Sequence, residues 1–207
     1  MEIFFYAAVL IFSVVIHEVS HGYAARSQGD DTAEMLGRLT LNPLAHLDPM
    51  GSIILPGLLI LMSRLTGTGI FLFGWAKPVP FNPLKLKDLR WGPLWVALAG
   101  PAANLFLATA FGLIIRFNLA NVLTNLNGLF SVIVLTNLML AVFNLIPIPP
   151  LDGSKILFGI LGDRWRRLEN FLIANSWVLF MLFLVMGSAV IMPIVSWLFF
   201  ALTGAGM

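Results

Sequence analysis

Cysteine is absent from this chain of 207 residues, and charged residues are scarce, at 11% of the total. The absence of cysteine excludes a disulfide framework and leaves no thiolate that could bind a metal. Soluble domains carry about 25% charged residues, so the scarcity of charge argues against a soluble protein. The formal net charge of only +2 also argues against a nucleic-acid partner, because such binding relies on a strongly basic surface.

Long apolar runs take the place of the missing charge, and 59% of the residues are hydrophobic. About 20 apolar residues are needed to cross the ~30 Å hydrocarbon layer as a helix. Five apolar segments, A to E, cover residues 3–25, 52–65, 93–115, 129–146 and 171–202. They predict an all-α polytopic membrane protein with a bundle of about four to six transmembrane helices. We expect one domain over residues 1–207, with a core at 3–162 and a C-terminal helical hairpin or long helix at 171–202.

The stretches between these segments have weaker patterns. "GRLTL" alternates as a short strand does. Residues 66–83, "TGTGIFLFGWAKPVPFNP", are rich in glycine, aromatics and proline, which predicts a small β-hairpin or an exposed strand edge. Residues 153–161 predict a short amphipathic helix. Segment E is too long for one straight span, so we expect breaks at Gly187, Ser188 and Pro193.

The first apolar segment contains "HEVSH", with His17, Glu18 and His21. On a helix the two histidines lie one turn apart on the same face. Two imidazoles at that spacing can bind one zinc ion, with the neighbouring glutamate as general base for water. The alternative interpretation is an apolar helix with two histidines that form hydrogen bonds to neighbouring groups and bind no metal. Three ionisable residues within one membrane segment are costly, however, and such residues are functional by default.

A catalytic zinc site takes three protein ligands and keeps one open position, so a third ligand must come from elsewhere. The spacing alone leaves several candidates open, namely His46, Asp30, Asp31, Glu34, Asp48 and the distant Asp152. Asp152 also suits the N-cap of a helix after the prolines. That position does not exclude metal binding, because a carboxylate has two oxygens.

Three motifs, "HEVSH", "AGPAAN" and "FNLIPIPPLDG", follow one another on hydrophobic segments. In this order they resemble the site-2 protease family of intramembrane zinc metalloproteases. "GRLTLNPLAHLDPMG" and "FGWAKPVPFNP" are further similar to the small prokaryotic branch without a PDZ domain. The resemblance implies one zinc ion per chain, with Asp152 as the third ligand beside His17 and His21. It also implies catalytic roles for Glu18 and for Asn144, which is expected near the scissile carbonyl.

The function implied by this resemblance is hydrolysis of peptide bonds within or near the transmembrane segments of membrane proteins. Its partners would be transmembrane protein substrates and membrane lipid. The alternative is a zinc-binding membrane protein, such as a transporter, without protease activity. A carrier needs no base beside its metal, so Glu18 argues for the protease.

The motifs also constrain the topology, because His17, His21 and Asp152 must meet. Segment A places the histidines near its exit, roughly 21 Å into a ~30 Å core, so segment D must exit on that same face. Segment B therefore cannot cross once, and we expect it to be re-entrant. The basic residues agree with this topology, since ten of twelve then share one face, which the positive-inside rule makes cytosolic. We expect a multi-pass protein of a prokaryotic cytoplasmic membrane with its site towards the cytosol.

A helical substrate must unwind before its peptide bond is accessible, and its freed backbone groups then need partners. A strand edge near the cytosolic face can supply them. The expected substrate-binding residues are Gly74, Trp75, Ala76, Lys77, Pro78 and Val79. Asn104 and Gly100 are expected to serve helix packing. His46 is expected either to be a satisfied loop histidine or to act near the cavity mouth.

Overall fold

The computed structural model describes residues 2–66, 76–117 and 126–206, and the described chain is helical. No strand occurs among these residues. The nine α-helices of the described chain are α1 Glu2–Ser27, α2 Thr32–Met35, α3 Leu55–Thr66, α4 Gly92–Arg116, α5 Asn127–Asn144, α6 Asp152–Leu161, α7 Arg166–Ala174, α8 Ser176–Met186 and α9 Ser188–Thr203. A π-helical stretch, Pro49–Ile54, leads directly into α3.

Three of these helices, α1, α4 and α5, are long and apolar enough to cross a membrane. Large apolar side chains such as Phe4, Phe12, Trp95 and Phe106 are exposed on them, as expected of surfaces that face lipid. The chain is therefore an integral membrane protein. The expected four to six spans are not found among the described helices. The shorter apolar helix in residues 189–203 falls below the length of a span.

The three long helices run antiparallel to their neighbours around α4. On α1, His21 meets Val96 of α4, while His17 lies one turn earlier and meets Asn104. The pairing of α4 with α5 is also antiparallel, since Asn104 bonds to Asn137 and Phe111 packs on Phe130. The core between α4, α5 and α9 consists of Ala108, Val134, Leu138, Val142, Ile191, Val195 and Phe199.

Both ends of the long connection between α1 and α4 lie at the same end of the bundle. The Lys87 N–H donates to the Gln28 carbonyl at 2.8 Å, and the Gln28 side chain donates to the Gly92 carbonyl at 3.3 Å. The connection between α1 and α4 thus begins and ends on one side of the bundle, so it makes no net crossing. With 12 residues, α3 is also only about 18 Å long. The structure thereby agrees with the topology that the motifs demand.

The expected β-hairpin is not present in the part of residues 66–83 that the structure describes. Residues 67–75, with Gly74 and Trp75, lie outside the described residues, and residues 76–82 form neither a helix nor a strand. The N–H groups of Lys77 and Val79 bond instead to the His46 carbonyl and to Glu18. The prolines at 78 and 80 have no N–H, so only the alternate N–H groups of this segment can donate.

The predicted strand "GRLTL" is also absent, because its backbone completes the turn after α2. The Arg38 N–H donates to the Ala33 carbonyl at 2.8 Å. The Thr40 carbonyl accepts a bond from the buried His46 ring. One nitrogen of the His46 ring thus bonds within this loop, while its buried Nδ1 has no hydrogen-bond partner among the described residues.

Segment E divides into α7, α8 and α9, and one of its expected breaks is found. Gly187 separates α8 from α9 as predicted, whereas Pro193 lies inside α9. A further break occurs at Asn175, whose side-chain amide donates to the Phe171 carbonyl at 2.7 Å and satisfies the end of α7. The predicted amphipathic helix is α6, which begins one residue earlier than expected.

Candidate metal centre

Three metal-binding atoms from distant parts of the chain converge at one end of the bundle. They are Nε2 of His17, Nε2 of His21 and Oδ2 of Asp152. The two nitrogens lie 3.1 Å apart, and Oδ2 lies 3.2 Å from the first and 3.1 Å from the second. All three side chains are buried. A nearly equilateral triangle of nitrogen and oxygen atoms therefore lies between the C-terminal half of α1 and the first residue of α6.

The triangle has the size that a tetrahedral zinc ion requires. Zinc binds histidine nitrogen and carboxylate oxygen at about 2.0–2.2 Å, which gives ligand-to-ligand edges of about 3.3 Å in a regular tetrahedron. The observed edges of 3.1 to 3.2 Å need only a slight expansion. Two neutral imidazoles and one carboxylate match a catalytic zinc site that keeps one open position. The residues present fit the metal.

The second nitrogen of each histidine is already engaged. Nδ1 of His17 lies 2.6 Å from Oδ1 of Asn104, and Nδ1 of His21 lies 2.7 Å from the Val96 carbonyl. Both partners accept, so each Nδ1 carries the hydrogen and each Nε2 lone pair is left for a metal. Such outer contacts orient metal-binding histidines and fix their tautomers.

Asp152 reaches the histidines because a tight turn precedes α6. The Leu151 N–H donates to the Ile148 carbonyl at 2.9 Å. A Cβ on Gly153 would overlap the Leu145 and Ile146 carbonyls, so only glycine allows this close approach. The carboxylate does not cap the helix, because Leu151 is the N-cap residue and no side chain caps it. Its second oxygen, Oδ1, instead accepts from Lys155 at 3.3 Å.

Glu18 and Asn144 line the same cavity, of about 150 Å³, as the three ligands. One carboxylate oxygen of Glu18 accepts the Val79 N–H at 2.8 Å. The Asn144 side chain donates one hydrogen to the Leu140 carbonyl of its own helix at 2.9 Å. An amide has two such hydrogens, so Asn144 retains one for a ligand. The cavity thus combines the ligand triangle with a carboxylate and an amide.

The segment of residues 77–82 closes one side of this cavity and is fixed by the rest of the chain. Arg38, which is buried, donates to the Lys77 carbonyl at 2.8 Å and to the Pro78 carbonyl at 3.3 Å. At the other end, the Asn82 N–H donates to the buried Asp30. Pro78 and Val79 line the cavity. Of the predicted substrate-binding residues, the structure therefore places these two beside the ligands.

Sequence reasoning missed a polar network behind His17. Asn104, which was expected to serve packing, and Asn137 are both fully buried. They bond to each other at 2.8 Å and both reach Ser13 of α1. The available signal was their position, since a polar side chain within a transmembrane helix marks a functional site.

Gly100 is expected to be essential for metal binding, because α4 passes directly under the two histidines. A Cβ at this position would contact Nε2 of His21 and would lie 2.7 Å from Cε1 of His17. Gly100→Ala should therefore displace both rings and lower the zinc content of the purified protein at least about tenfold. Gly112→Ala is the matched control, because its Cβ would press on Leu202 at 2.9 Å far from the site. Equal zinc content in the two variants would refute this account of Gly100.

These features together define a metallopeptidase-type site in a membrane-helix bundle. Comparison with known proteins points the same way. Residues 112–188 match the model of peptidase family M50. YwhC of Bacillus subtilis, named as a candidate zinc metalloprotease, is 38% identical over 196 residues, which are 90% of this chain and 84% of that protein. The chain belongs to peptidase family M50, the site-2 protease family, and is a zinc metalloprotease of that type.

More distant relatives are longer than this chain. Rip2 of Mycolicibacterium smegmatis, also named as a candidate zinc metalloprotease, is 32% identical over 76% of this chain and 57% of its own length. Zinc metalloprotease MJ0392 of Methanocaldococcus jannaschii is 27% identical over 81% of this chain and 38% of its own length. The comparison with solved structures found no match. The relatives' names make zinc the cofactor of this family.

Proposed function

We propose that this chain is an intramembrane endopeptidase that hydrolyses peptide bonds within or near the transmembrane segments of other membrane proteins. His17, His21 and Asp152 are its zinc ligands, and Glu18 is its general base. The observation that supports this most is the ligand triangle, because it lies with Glu18 on one cavity between candidate membrane-spanning helices. A water-activating site has no evident use at that place unless its substrate is also in the membrane.

The residues on the cavity suit peptide hydrolysis. Zinc bound by the triangle would supply a Lewis acid for water and for the peptide carbonyl. Glu18 takes the proton from the attacking water and returns it to the leaving amide nitrogen. The free N–H of Asn144 donates to the carbonyl oxygen as it gains negative charge. The Nδ1 atoms of His17 and His21 are held by Asn104 and Val96, so the Nε2 atom of each ring is the one that faces the metal position.

A substrate helix must unwind before it can enter this cavity. The volume of about 150 Å³ is that of about five water molecules, whereas a helix with side chains is about 10–12 Å wide. We therefore expect the substrate to enter as an unwound segment. Its freed N–H and C=O groups each cost several kcal/mol if they stay unpaired in a dry setting.

The backbone of Ala76 to Val79 is the proposed partner for that unwound segment. The Val79 N–H faces the cavity and is bonded to Glu18. A substrate carbonyl that takes over this N–H releases the Glu18 carboxylate for its role as base. Pairing and activation of the base are thereby coupled in one exchange.

Val79→Pro is expected to abolish cleavage while the zinc content stays normal, because proline removes the N–H. Val79→Thr keeps the donor and the branched shape, and it should remain largely active. Cleavage of a membrane substrate by the purified variants measures both. The Val79 N–H has two roles here, a bond to Glu18 and the proposed bond to the substrate. To separate them, substrate binding is measured for Val79→Pro and Val79→Thr in a Glu18→Gln background, which is expected not to cleave. Weaker capture with proline supports pairing, and equal capture would show that Val79 acts only through Glu18.

The proposed orientation places the site towards the cytosol of a prokaryotic cytoplasmic membrane. Lys85 and Arg164 both lie on loops outside the long helices, and basic loops face the cytosol. The chain has no cysteine, so single cysteines can be introduced at these two positions. We expect neither to react with an impermeant thiol reagent added to intact cells. Labelling of either cysteine from outside would contradict the proposed orientation and place the site on the outer side.

The function itself is tested in cells that produce the wild-type chain or Glu18→Gln. Quantitative analysis of membrane-protein fragments should detect new termini within or beside apolar spans only with the wild type. A metal-handling membrane protein without protease activity is the competing function. Identical fragments in both cell lines would favour that function and overturn the proposal.

A further inference from the structure

A chain of side-chain amides connects the metal-binding face of α1 to the centre of the bundle. Asn137 of α5 bonds to Asn104 of α4, and Asn104 bonds to His17. Both asparagines are 0% exposed. Buried amides among apolar helices are costly unless every group is paired. Their arrangement therefore has to be explained bond by bond.

The direction of this chain is fixed at the end remote from His17. Nδ2 of Asn137 lies 2.9 Å from the Ile133 carbonyl and 3.0 Å from the Ser13 hydroxyl. A backbone carbonyl can only accept, so the Asn137 group facing Ile133 is the NH₂. Oδ1 of Asn137 then accepts from Nδ2 of Asn104 at 2.8 Å.

The same logic fixes Asn104. Its NH₂ faces two acceptors, Oδ1 of Asn137 and the Ser13 carbonyl at 3.3 Å. Its Oδ1 is consequently the atom that faces Nδ1 of His17 at 2.6 Å. An amide oxygen cannot donate, so the hydrogen of a neutral His17 belongs on Nδ1. Its Nε2 lone pair then points at Nε2 of His21 and Oδ2 of Asp152.

We propose that Asn104, locked by Asn137, is a positioning residue that fixes the metal-binding tautomer and ring orientation of His17. Two carbonyls with no titratable group, those of Ile133 and Ser13, set this tautomer through the amides before any metal arrives. The inference rests on the proposed metal site but not on peptidase activity. Outer contacts of this kind typically change metal affinity about 10–100-fold.

Asn104→Leu tests the proposal, because leucine has a similar shape and no acceptor. The zinc-free protein, labelled with ¹⁵N-histidine, reports the tautomer directly, and the chain has only three histidines to assign. We expect the Nδ1–H form of His17 in the wild type and loss of that preference in Asn104→Leu. The zinc dissociation constant, measured by competition with a chelator, should rise about 10–100-fold.

Thr109→Val is the matched control on α4, because the Thr109 hydroxyl bonds only within its helix, to the Leu105 carbonyl at 2.8 Å. It should leave the tautomer and zinc affinity unchanged. Asn137→Leu removes the side chain that orients Asn104 but keeps Asn104 itself. It should change the His17 tautomer and the zinc dissociation constant in the same direction as Asn104→Leu, but to a smaller extent. If Asn104→Leu does not fold, the Asn137→Leu variant tests the proposal in its place.

An unchanged His17 tautomer, or unchanged zinc affinity, in the folded asparagine variants would overturn the proposal and assign the asparagines to helix packing. Such a result would leave the peptidase proposal intact. Conversely, a chain that binds zinc but cleaves nothing would refute the peptidase and leave the role of Asn104 standing. The two failures are therefore distinguishable.

Discussion

Replacing Asp152 with alanine is expected to remove most of the zinc from the purified protein and to abolish cleavage. The change deletes one of the three proposed ligands and leaves two histidine nitrogens 3.1 Å apart without their carboxylate partner. Loss of a direct ligand should cost more than the 10–100-fold typical of outer contacts, so we expect affinity to fall by more than about 100-fold. Metal analysis and chelator competition measure the effect.

Glu34→Ala is the control for this experiment. Glu34 was an alternative third ligand by sequence, yet its carboxylate forms an ion pair with Arg26 at 2.8 Å, and both side chains are half-exposed. It should keep full zinc content. Full zinc in Asp152→Ala together with loss in Glu34→Ala would reassign the third ligand.

Glu18→Gln is expected to lose cleavage by about 10²–10⁴-fold, the contribution that general acid–base catalysis typically makes, while it retains zinc. Glutamine keeps an oxygen that can accept the Val79 N–H at the position where Glu18 accepts it now. The 77–82 segment should therefore stay in place. What disappears is a carboxylate that can take a proton from water.

Glu18→Ala completes this comparison, because it removes the base and the acceptor for Val79 together. Both variants should bind zinc as the wild type does, since Glu18 is not part of the ligand triangle. Equal loss of cleavage in both would assign the effect to proton transfer. Substantial cleavage by Glu18→Gln would mean that another group is the base.

The proximity of the two histidines on α1 could be predicted from sequence because a helix has a fixed period. His17 and His21, four residues apart, had to share a face, and the structure places their Nε2 atoms together. Asp152 is 131 residues further along, and no local rule reaches it. Its assignment rested on the family resemblance. The structure brings its Oδ2 atom to the histidines.

The contacts around the ligands could not be predicted from local patterns. Asn104 looked like one polar residue in a small-residue helix face, and nothing in the sequence indicated that it meets His17 and Asn137. Such side-chain contacts depend on how three helices are rotated about their axes and shifted along them relative to one another. The bond between Glu18 and Val79 likewise joins residues 61 positions apart.

The expected β-edge failed among the described residues for a related reason. Prolines and aromatics in "FGWAKPVPF" are typical of an edge strand, but a strand also needs a neighbour that shares its ladder. The structure gives residues 77–79 side-chain and loop partners instead, in Arg38, His46 and Glu18. The residue pattern alone does not show whether such a segment pairs with a neighbouring strand.

We propose that this zinc site cuts peptide bonds inside membrane spans. Mass spectrometry of the fragments from a defined transmembrane substrate, incubated with the purified protein in liposomes, tests it most directly. We predict new termini within or at the edge of the apolar span, lost on chelation, restored by zinc and absent with Glu18→Gln. Cleavage confined to soluble loops of the substrate, or undiminished cleavage by Glu18→Gln, would contradict the claim.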